Sequence, residues 1–153
     1  YGLVGSEMCI RDRPWIHQIS VYGNDYAANT AFRDVSVVRH VDTPNARSVA
    51  VPAGTDGAGY LTRVAEALGP AFDRAAPDLV WFQAGADPYR EDPYSPLDVG
   101  LEDLEARDRL VFEACRARGV PVAWVLAGGY TEDLAKVVAV HVGTWRAAHA
   151  VFR

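Results

Sequence analysis

Two short apolar runs, each followed by glycine, constrain the fold of this chain more than any other feature. The first runs from Leu79 to Gln83 and leads into Gly85 and Asp87. The second runs from Pro121 to Leu126 and leads into Gly128-Gly129-Tyr130. Runs of this kind are typical of buried strands in a parallel sheet. Because open α/β sheets bind ligands at the carboxyl ends of their strands, we expect Asp87 and Tyr130 to share one rim.

Three segments with the spacing of apolar residues typical of helices lie before, between and after these runs. Gly119 is expected to end the second of these predicted helices, and Thr131 is expected to cap the start of the third. Two further β-prone stretches lie earlier, at residues 16–21 and 48–51. Strands alternating with helices predict an α/β domain whose parallel sheet is covered on both faces, with right-handed crossovers. The residues at helical spacing are Tyr60, Leu61, Val64, Ala65 and Leu68; Leu101, Leu104, Asp108, Val111, Phe112 and Cys115; and Val137, Val138, His141, Trp145 and Ala148.

Composition limits the classes of partner. The chain has 153 residues, 50% of them hydrophobic, and a formal net charge of −5, which suits one domain with one core. It shows no basic cluster typical of a nucleic-acid surface, and no apolar run as long as a membrane span. Cys9 and Cys115 lack metal-like spacing, and Cys115 falls on an apolar helix face. We therefore expect a cytoplasmic protein with no direct nucleic-acid or membrane partner, and the oligomeric state stays open.

The start of the chain does not match the rest. Residues 1–13 lack periodicity, and the run from Val4 to Arg13 is typical of a translated adapter sequence, so we interpret this segment as non-native. On this interpretation the native sequence begins near Pro14. Residues 14–153 are then the carboxyl-terminal part of a single domain, and we expect the chain to be a fragment truncated at its amino terminus.

Asp87 and Tyr130 carry the chemistry expected at the rim. Pro88 disfavours helical geometry at Asp87, which holds this residue extended just beyond the strand. Its carboxylate could coordinate a cation, or it could simply cap a turn. Tyr130 follows two glycines that let the backbone approach a ligand closely. Its phenol could donate a hydrogen bond to developing negative charge, or it could pack at a loop edge.

An ordered set of short motifs resembles one enzyme family. From Gly54 to Val142 the chain is similar to the carboxyl-terminal third of the zinc-dependent histone deacetylase and acetylpolyamine amidohydrolase family. The resemblance implies an arginase-like α/β fold, a three-layer arrangement with a parallel sheet between helical layers. The motifs are Ala84-Gly85-Ala86-Asp87-Pro88, Asp92-Pro93, Arg107-Asp108-Arg109-Leu110-Val111, Gly119-Val120-Pro121-Val122 and Gly128-Gly129-Tyr130.

The resemblance also implies a function for the rim. It implies a Zn²⁺ ion held by two Asp and one His, which hydrolyses an acetyl amide on a lysine side chain or a polyamine. Asp87 matches one of these ligands, and Tyr130 matches the tyrosine that stabilises the oxyanion. Gly128 and Gly129 would line the channel for the acetylated amine. On this reading, zinc polarises the amide carbonyl and activates its bound water.

The chain departs from the family at the remaining ligands. No Asp-x-His triplet and no His-His pair occurs in it, and its histidines, at positions 17, 40, 141 and 149, are scattered. We interpret His40-Val41-Asp42 as solvated surface and His141 as a packing residue. Since a catalytic zinc normally needs three protein ligands, we expect the parent protein to be an enzyme and this chain alone to be inactive.

The loop after Asp87 contains two further acidic residues. Glu91 and Asp92 would make the rim acidic and suited to a cationic substrate, although Asp92 could instead be a structural turn residue.

Two other classes of protein stay open. One alternative is a non-catalytic deacetylase-fold binding module. Another is an unrelated α/β hydrolase or nucleotide-binding domain, but the chain has no Gly-x-Gly-x-x-Gly, Walker or Gly-x-Ser-x-Gly motif.

Overall fold

The computed structural model describes residue 13, residues 15–23 and residues 44–153. Within these residues, strands and helices alternate from the second strand onward, which confirms the predicted α/β class. Each predicted strand and helix is present, with boundaries shifted by a few residues. The elements are β1 (Gln18–Gly23), β2 (Ala46–Val51), α1 (Gly57–Ala75), β3 (Val80–Gly85), α2 (Leu101–Arg118), β4 (Val122–Ala127) and α3 (Leu134–Phe152).

The described strands pair in parallel, in two separate two-stranded sheets. In the first, β1 lies beside β2 with Gln18 opposite Ala46. In the second, β3 lies beside β4, and α2 returns the chain between them, as parallel pairing requires. Because Gly85 lies opposite Ala127, β3 and β4 end at the same edge of their sheet.

Helices α2 and α3 pack on one face of the β3–β4 sheet. Phe112 of α2 is fully buried, and its ring meets Phe82 and Trp124 edge-on at centroid distances of 5.8 and 5.3 Å. Ala147 of α3 belongs to the same cluster. Trp81 points to the opposite face, because side chains alternate along a strand, and it is 67% exposed. Among the described residues, therefore, helices cover one face of this sheet as expected, and no described residue covers the other face at Trp81.

A larger core cluster lies under the ends of the strands. It draws residues from β2, α1, α2, α3 and the loop between β3 and α2, so it ties that loop to the domain. Its buried members are Val51, Tyr60, Val64, Ala86, Tyr89, Leu97, Val99, Leu104 and Val140.

The ends of two helices test the predicted caps. Helix α2 ends at Gly119, whose φ of 67° is the left-handed conformation predicted for a helix C-terminus. The prediction of Thr131 as the cap of α3 was wrong. Asp133 takes that place, and its Oδ1 accepts a hydrogen bond from the Ala135 N–H at 3.0 Å. The free thiol of Cys115 is fully buried in the core, as predicted, and burial raises its pKa.

Some sequence interpretations lie outside the described residues. These are the adapter origin of residues 1–13, of which the structure describes only Arg13, the native start near Pro14, and the solvated His40-Val41-Asp42 segment. Within the described part of the chain, no helix combines the length and apolarity that crossing a bilayer would require.

Candidate functional site

The ends of β3 and β4 bring Asp87 against the glycine turn that precedes Tyr130. The Ala86 N–H donates to the Ala127 carbonyl at 2.8 Å, which extends the strand pairing to the residue before Asp87. The Gly129 N–H then donates to Asp87 Oδ1 at 3.1 Å. The structure thus places Asp87 and Tyr130 at one rim, as the sequence predicted.

Glycine is required in this turn for two reasons. Gly128 and Gly129 have φ angles of 63° and 95°, which side-chain-bearing residues rarely adopt. A Cβ on Gly128 would also overlap the carboxylate of Asp87, and one on Gly129 would lie 3.0 Å from Val137 Cγ1. The backbone of this turn can therefore approach Asp87 closely only because glycine has no Cβ.

Asp92 does not lie on the solvent side of the rim. Its side chain is buried, with the residue only 3% exposed, and both of its carboxylate oxygens accept backbone hydrogen bonds. Oδ1 accepts from the Tyr94 N–H at 2.9 Å, and Oδ2 from the Tyr130 N–H at 2.7 Å. The predicted contribution of Asp92 to an acidic rim was therefore wrong, because amide donors draw its carboxylate inward. The alternative expectation, a structural turn residue, agrees with the bond from the Tyr94 N–H.

Glu91 stays at the surface and is paired there. The Tyr89 hydroxyl donates to Glu91 Oε1 at 2.7 Å, and Lys136 Nζ lies 3.5 Å from the same oxygen. The hydrogen bond from Tyr89, aided by the charge of Lys136, lowers the pKa of Glu91. Its charge is thus partly balanced within the chain, which weakens the case for an acidic rim.

A buried ionic network between α2 and α3 binds the backbone at the end of β3. Arg107 Nη1 donates to the Gly85 carbonyl at 2.6 Å, two residues before Asp87, and Nε donates to Asp108 Oδ1 at 2.7 Å. The other oxygen of Asp108 accepts from the Thr144 hydroxyl at 2.6 Å. Burial disfavours the charge on Arg107, but the interactions with Tyr60 and Asp108 outweigh it and raise the pKa of Arg107. The network therefore joins α2, α3 and β3 just below the rim.

His141 lies beside this network in α3 and is partly buried. Desolvation, followed by the positive charge of Arg107, lowers its pKa despite the opposing effect of Asp108. Its Nδ1 is buried and has no hydrogen-bond partner among the described residues. The neutral imidazole is thus the form that the folded chain favours.

The described residues do not complete a metal site. At the rim, Asp87 supplies a carboxylate that could bind a cation. Across the part of the chain that the structure describes, no group of three or more His, Cys, Asp or Glu side chains could hold a metal ion. A catalytic zinc normally has three protein ligands, so these residues by themselves do not fit one.

Sequence reasoning left the Arg107–Asp108 pair without a role. The pair was visible only as part of a motif, although Asp108 occupies a helix position otherwise filled by apolar residues. A charge on an apolar face is the signal that could have predicted this network, because buried charges in proteins are paired.

Sequence comparison with known proteins gives one matching family and two similar proteins. The histone deacetylase domain family matches residues 5–145. An uncharacterized protein of Picosynechococcus sp. is 37% identical over 102 residues, which cover 67% of this chain and 34% of that protein. Histone deacetylase 2 of Arabidopsis thaliana is 33% identical over 93 residues, which cover 61% of this chain and 24% of that protein.

The structural comparison agrees with the sequence matches. A crystal structure of acetylpolyamine aminohydrolase from Burkholderia pseudomallei matches with a TM-score of 0.65 and 25% identity. The match covers 87% of this chain and 37% of that one. The chain therefore spans well under half the length of the proteins that it matches.

Proposed function

Because the chain belongs to the histone deacetylase and acetylpolyamine amidohydrolase family and has its arginase-like α/β fold, we propose that it forms part of an enzyme that hydrolyses acetyl amides. Two of the matched proteins are named a histone deacetylase and an acetylpolyamine aminohydrolase. We propose the same class of substrate here, an acetylated amine on a lysine side chain or a polyamine.

The observation that carries this proposal is the hydrogen bond from the Gly129 N–H to Asp87 Oδ1. It brings a carboxylate able to bind a cation and a phenol able to donate a hydrogen bond to the same edge of the sheet. Zinc is the metal generally used in this family, and we propose that Asp87 provides one of its ligands. Since the described residues do not complete such a site, the remaining ligands in this proposal lie outside them.

We propose that Tyr130 stabilises the oxygen of the amide as it becomes negatively charged. The residue is 61% exposed, so its hydroxyl can reach a substrate at the rim. Hydrogen bonds to an oxyanion are strong because they form where charge develops during the reaction. We propose that Gly128 and Gly129 border the acetylated amine, because their backbone lies directly against Asp87.

The test is acetate release by the complete gene product that contains this sequence, with an acetyl-lysine peptide and an acetylated polyamine as substrates. Asp87→Asn is expected to lower the zinc content and abolish turnover, and Tyr130→Phe to lower kcat by about a hundredfold or more. Asp98→Asn is the matched carboxylate control, because Asp98 is exposed and pairs at the surface with Arg90. It should retain wild-type turnover.

Two results would contradict the proposal. Full turnover in Asp87→Asn would remove that residue from the reaction. Alternatively, genomic DNA preceding the Pro14 codon could show a start codon in this frame with no Asp-x-His motif after it. That result would instead favour a non-catalytic binding module with the deacetylase fold.

A further inference from the structure

Asp92 has one hydrogen bond that a turn explains and one that it does not. A hydrogen bond from the Tyr94 N–H to the carboxylate two residues earlier is typical of an Asx turn. The hydrogen bond from the Tyr130 N–H joins residues that are 38 positions apart, one in the loop after β3 and the other in the segment after β4. A local turn does not need that second bond.

The aromatic rings of the same two residues are also in contact. Tyr94 and Tyr130 meet edge to face, with a centroid distance of 5.4 Å and an interplanar angle of 76°. The Asp92 carboxylate therefore holds the backbones of both tyrosines, and their rings touch. Hydrogen bonds to a charged acceptor are stronger than neutral ones, and here the acceptor is buried.

Tyr130 depends on such contacts for its position. Its residue is more than half exposed, so packing within the core does not fix the ring. The loop that carries Asp92 is itself well anchored. The Asp92 N–H donates to the Tyr89 carbonyl at 2.9 Å, and the Ser95 hydroxyl donates to the Pro88 carbonyl at 3.1 Å.

From these contacts we propose that Asp92 and Tyr94 are positioning residues for Tyr130. Asp92 fixes the backbone of Tyr130, and the ring of Tyr94 limits the directions in which its phenol can point. The catalytic meaning of this arrangement rests on the proposed function, in which the Tyr130 hydroxyl acts on the substrate. A small displacement of a reacting group can cost about a hundredfold in rate, so such positioning would matter.

The first test measures amide hydrogen exchange of this chain, resolved to single residues. In the wild type, the Tyr130 amide is expected to exchange about tenfold or more slowly than an unprotected amide. In Asp92→Ala, both acceptor oxygens are removed, and the Tyr94 and Tyr130 amides should both exchange faster. Asp98→Ala should change neither.

Two outcomes of this test would overturn the proposal. An unprotected Tyr130 amide in the wild type would show that the bond to Asp92 does not hold it, and this outcome needs no variant to fold. If Asp92→Ala accelerates only the Tyr94 amide, Asp92 is a turn residue and nothing more.

The second test is a double-mutant cycle in the complete enzyme. Asp92→Asn and Tyr94→Leu should each lower kcat, by up to about a hundredfold, with little change in KM. In a Tyr130→Phe background, neither should lower kcat much further, because the hydroxyl that they position is already absent. Rate losses that simply multiply in the double variants would indicate a general structural role and contradict the proposal.

The two tests separate the two hypotheses. If the enzyme shows no turnover on acetylated amines but Asp92→Ala releases the Tyr130 amide, the proposed function fails and the anchoring of Tyr130 stands. If turnover depends on Asp87 and Tyr130 but not on Asp92, the function stands and the positioning role fails.

Discussion

Gly128 is the residue on which the geometry of the rim most directly depends. We expect Gly128→Ala to destabilise the chain by about 2 kcal/mol or more, because alanine is unfavourable in the left-handed region and its Cβ would displace the Asp87 carboxylate. Urea unfolding followed by circular dichroism measures the change in the free energy of unfolding.

Gly119 provides the matched control for this substitution. Its φ of 67° is similar, and a Cβ added there meets no atom within 4 Å beyond its chain neighbours. Gly119→Ala should therefore cost about 1 kcal/mol, from the left-handed conformation alone. Equal effects at the two glycines would show that overlap with the Asp87 carboxylate adds nothing at Gly128.

His141 makes stability depend on pH. Its pKa in the folded chain is lowered by desolvation and by Arg107, whereas the unfolded value is about 6.5. Between these two values the unfolded chain binds more protons, so the free energy of unfolding should fall as pH drops below neutrality and level off below the folded pKa.

The variant His141→Gln tests this dependence, because glutamine does not titrate. Urea titrations at several pH values between pH 7 and pH 5 span the unfolded histidine pKa of about 6.5. Over this range His141→Gln should lose less stability than the wild type as the pH falls. His149→Gln, on an exposed part of the same helix, is the control for removing a histidine. Identical pH profiles for wild type and His141→Gln would show that His141 does not contribute.

At the level of elements, the start of α3 depends on Asp133. The Asp133 side chain accepts a hydrogen bond from the Ala135 N–H, which satisfies one of the unpaired donors of the first turn. Asp133→Ala should therefore cost about 1 kcal/mol of stability. Thr131→Ala, at the position that the sequence favoured, should change stability by less than about 0.5 kcal/mol. Thermal melts of the two variants compare them, and a larger loss for Thr131→Ala would contradict the observed cap.

At the level of the whole molecule, exposed apolar side chains on β3 and just before it predict self-association. Trp81 and Leu79 are both more than half exposed, and parallel sheets are normally covered on both faces. We expect the chain to exceed its monomer mass of 16.7 kDa in light scattering as its concentration rises, and to bind a hydrophobic dye.

Substitution of Trp81 should reduce both effects. Trp81→Lys removes apolar area from the uncovered face, whereas Trp15→Lys removes an equally exposed tryptophan that precedes β1. Only the first is expected to lower the mass at high concentration. A wild-type chain that stays monomeric and melts in one sharp transition would show that this face does not drive association.

The sequence by itself determined the type of each element and the chemistry at the ends of two strands. Apolar runs, helical spacing and glycine positions are local properties, so they predicted β3, α2, β4 and the shared rim of Asp87 and Tyr130. The same motifs also carried the family resemblance. Even the wrong cap at Thr131 was off by only two residues.

Only the tertiary structure decided which polar groups meet across the domain. The inward turn of Asp92 toward Tyr130 and the contact of Arg107 with the Gly85 carbonyl join residues 38 and 22 positions apart. Neither contact follows from local periodicity, because each depends on how strands and helices stack. A buried carboxylate takes its partners from whichever donors the packing brings within hydrogen-bonding distance, and only the folded chain specifies those donors.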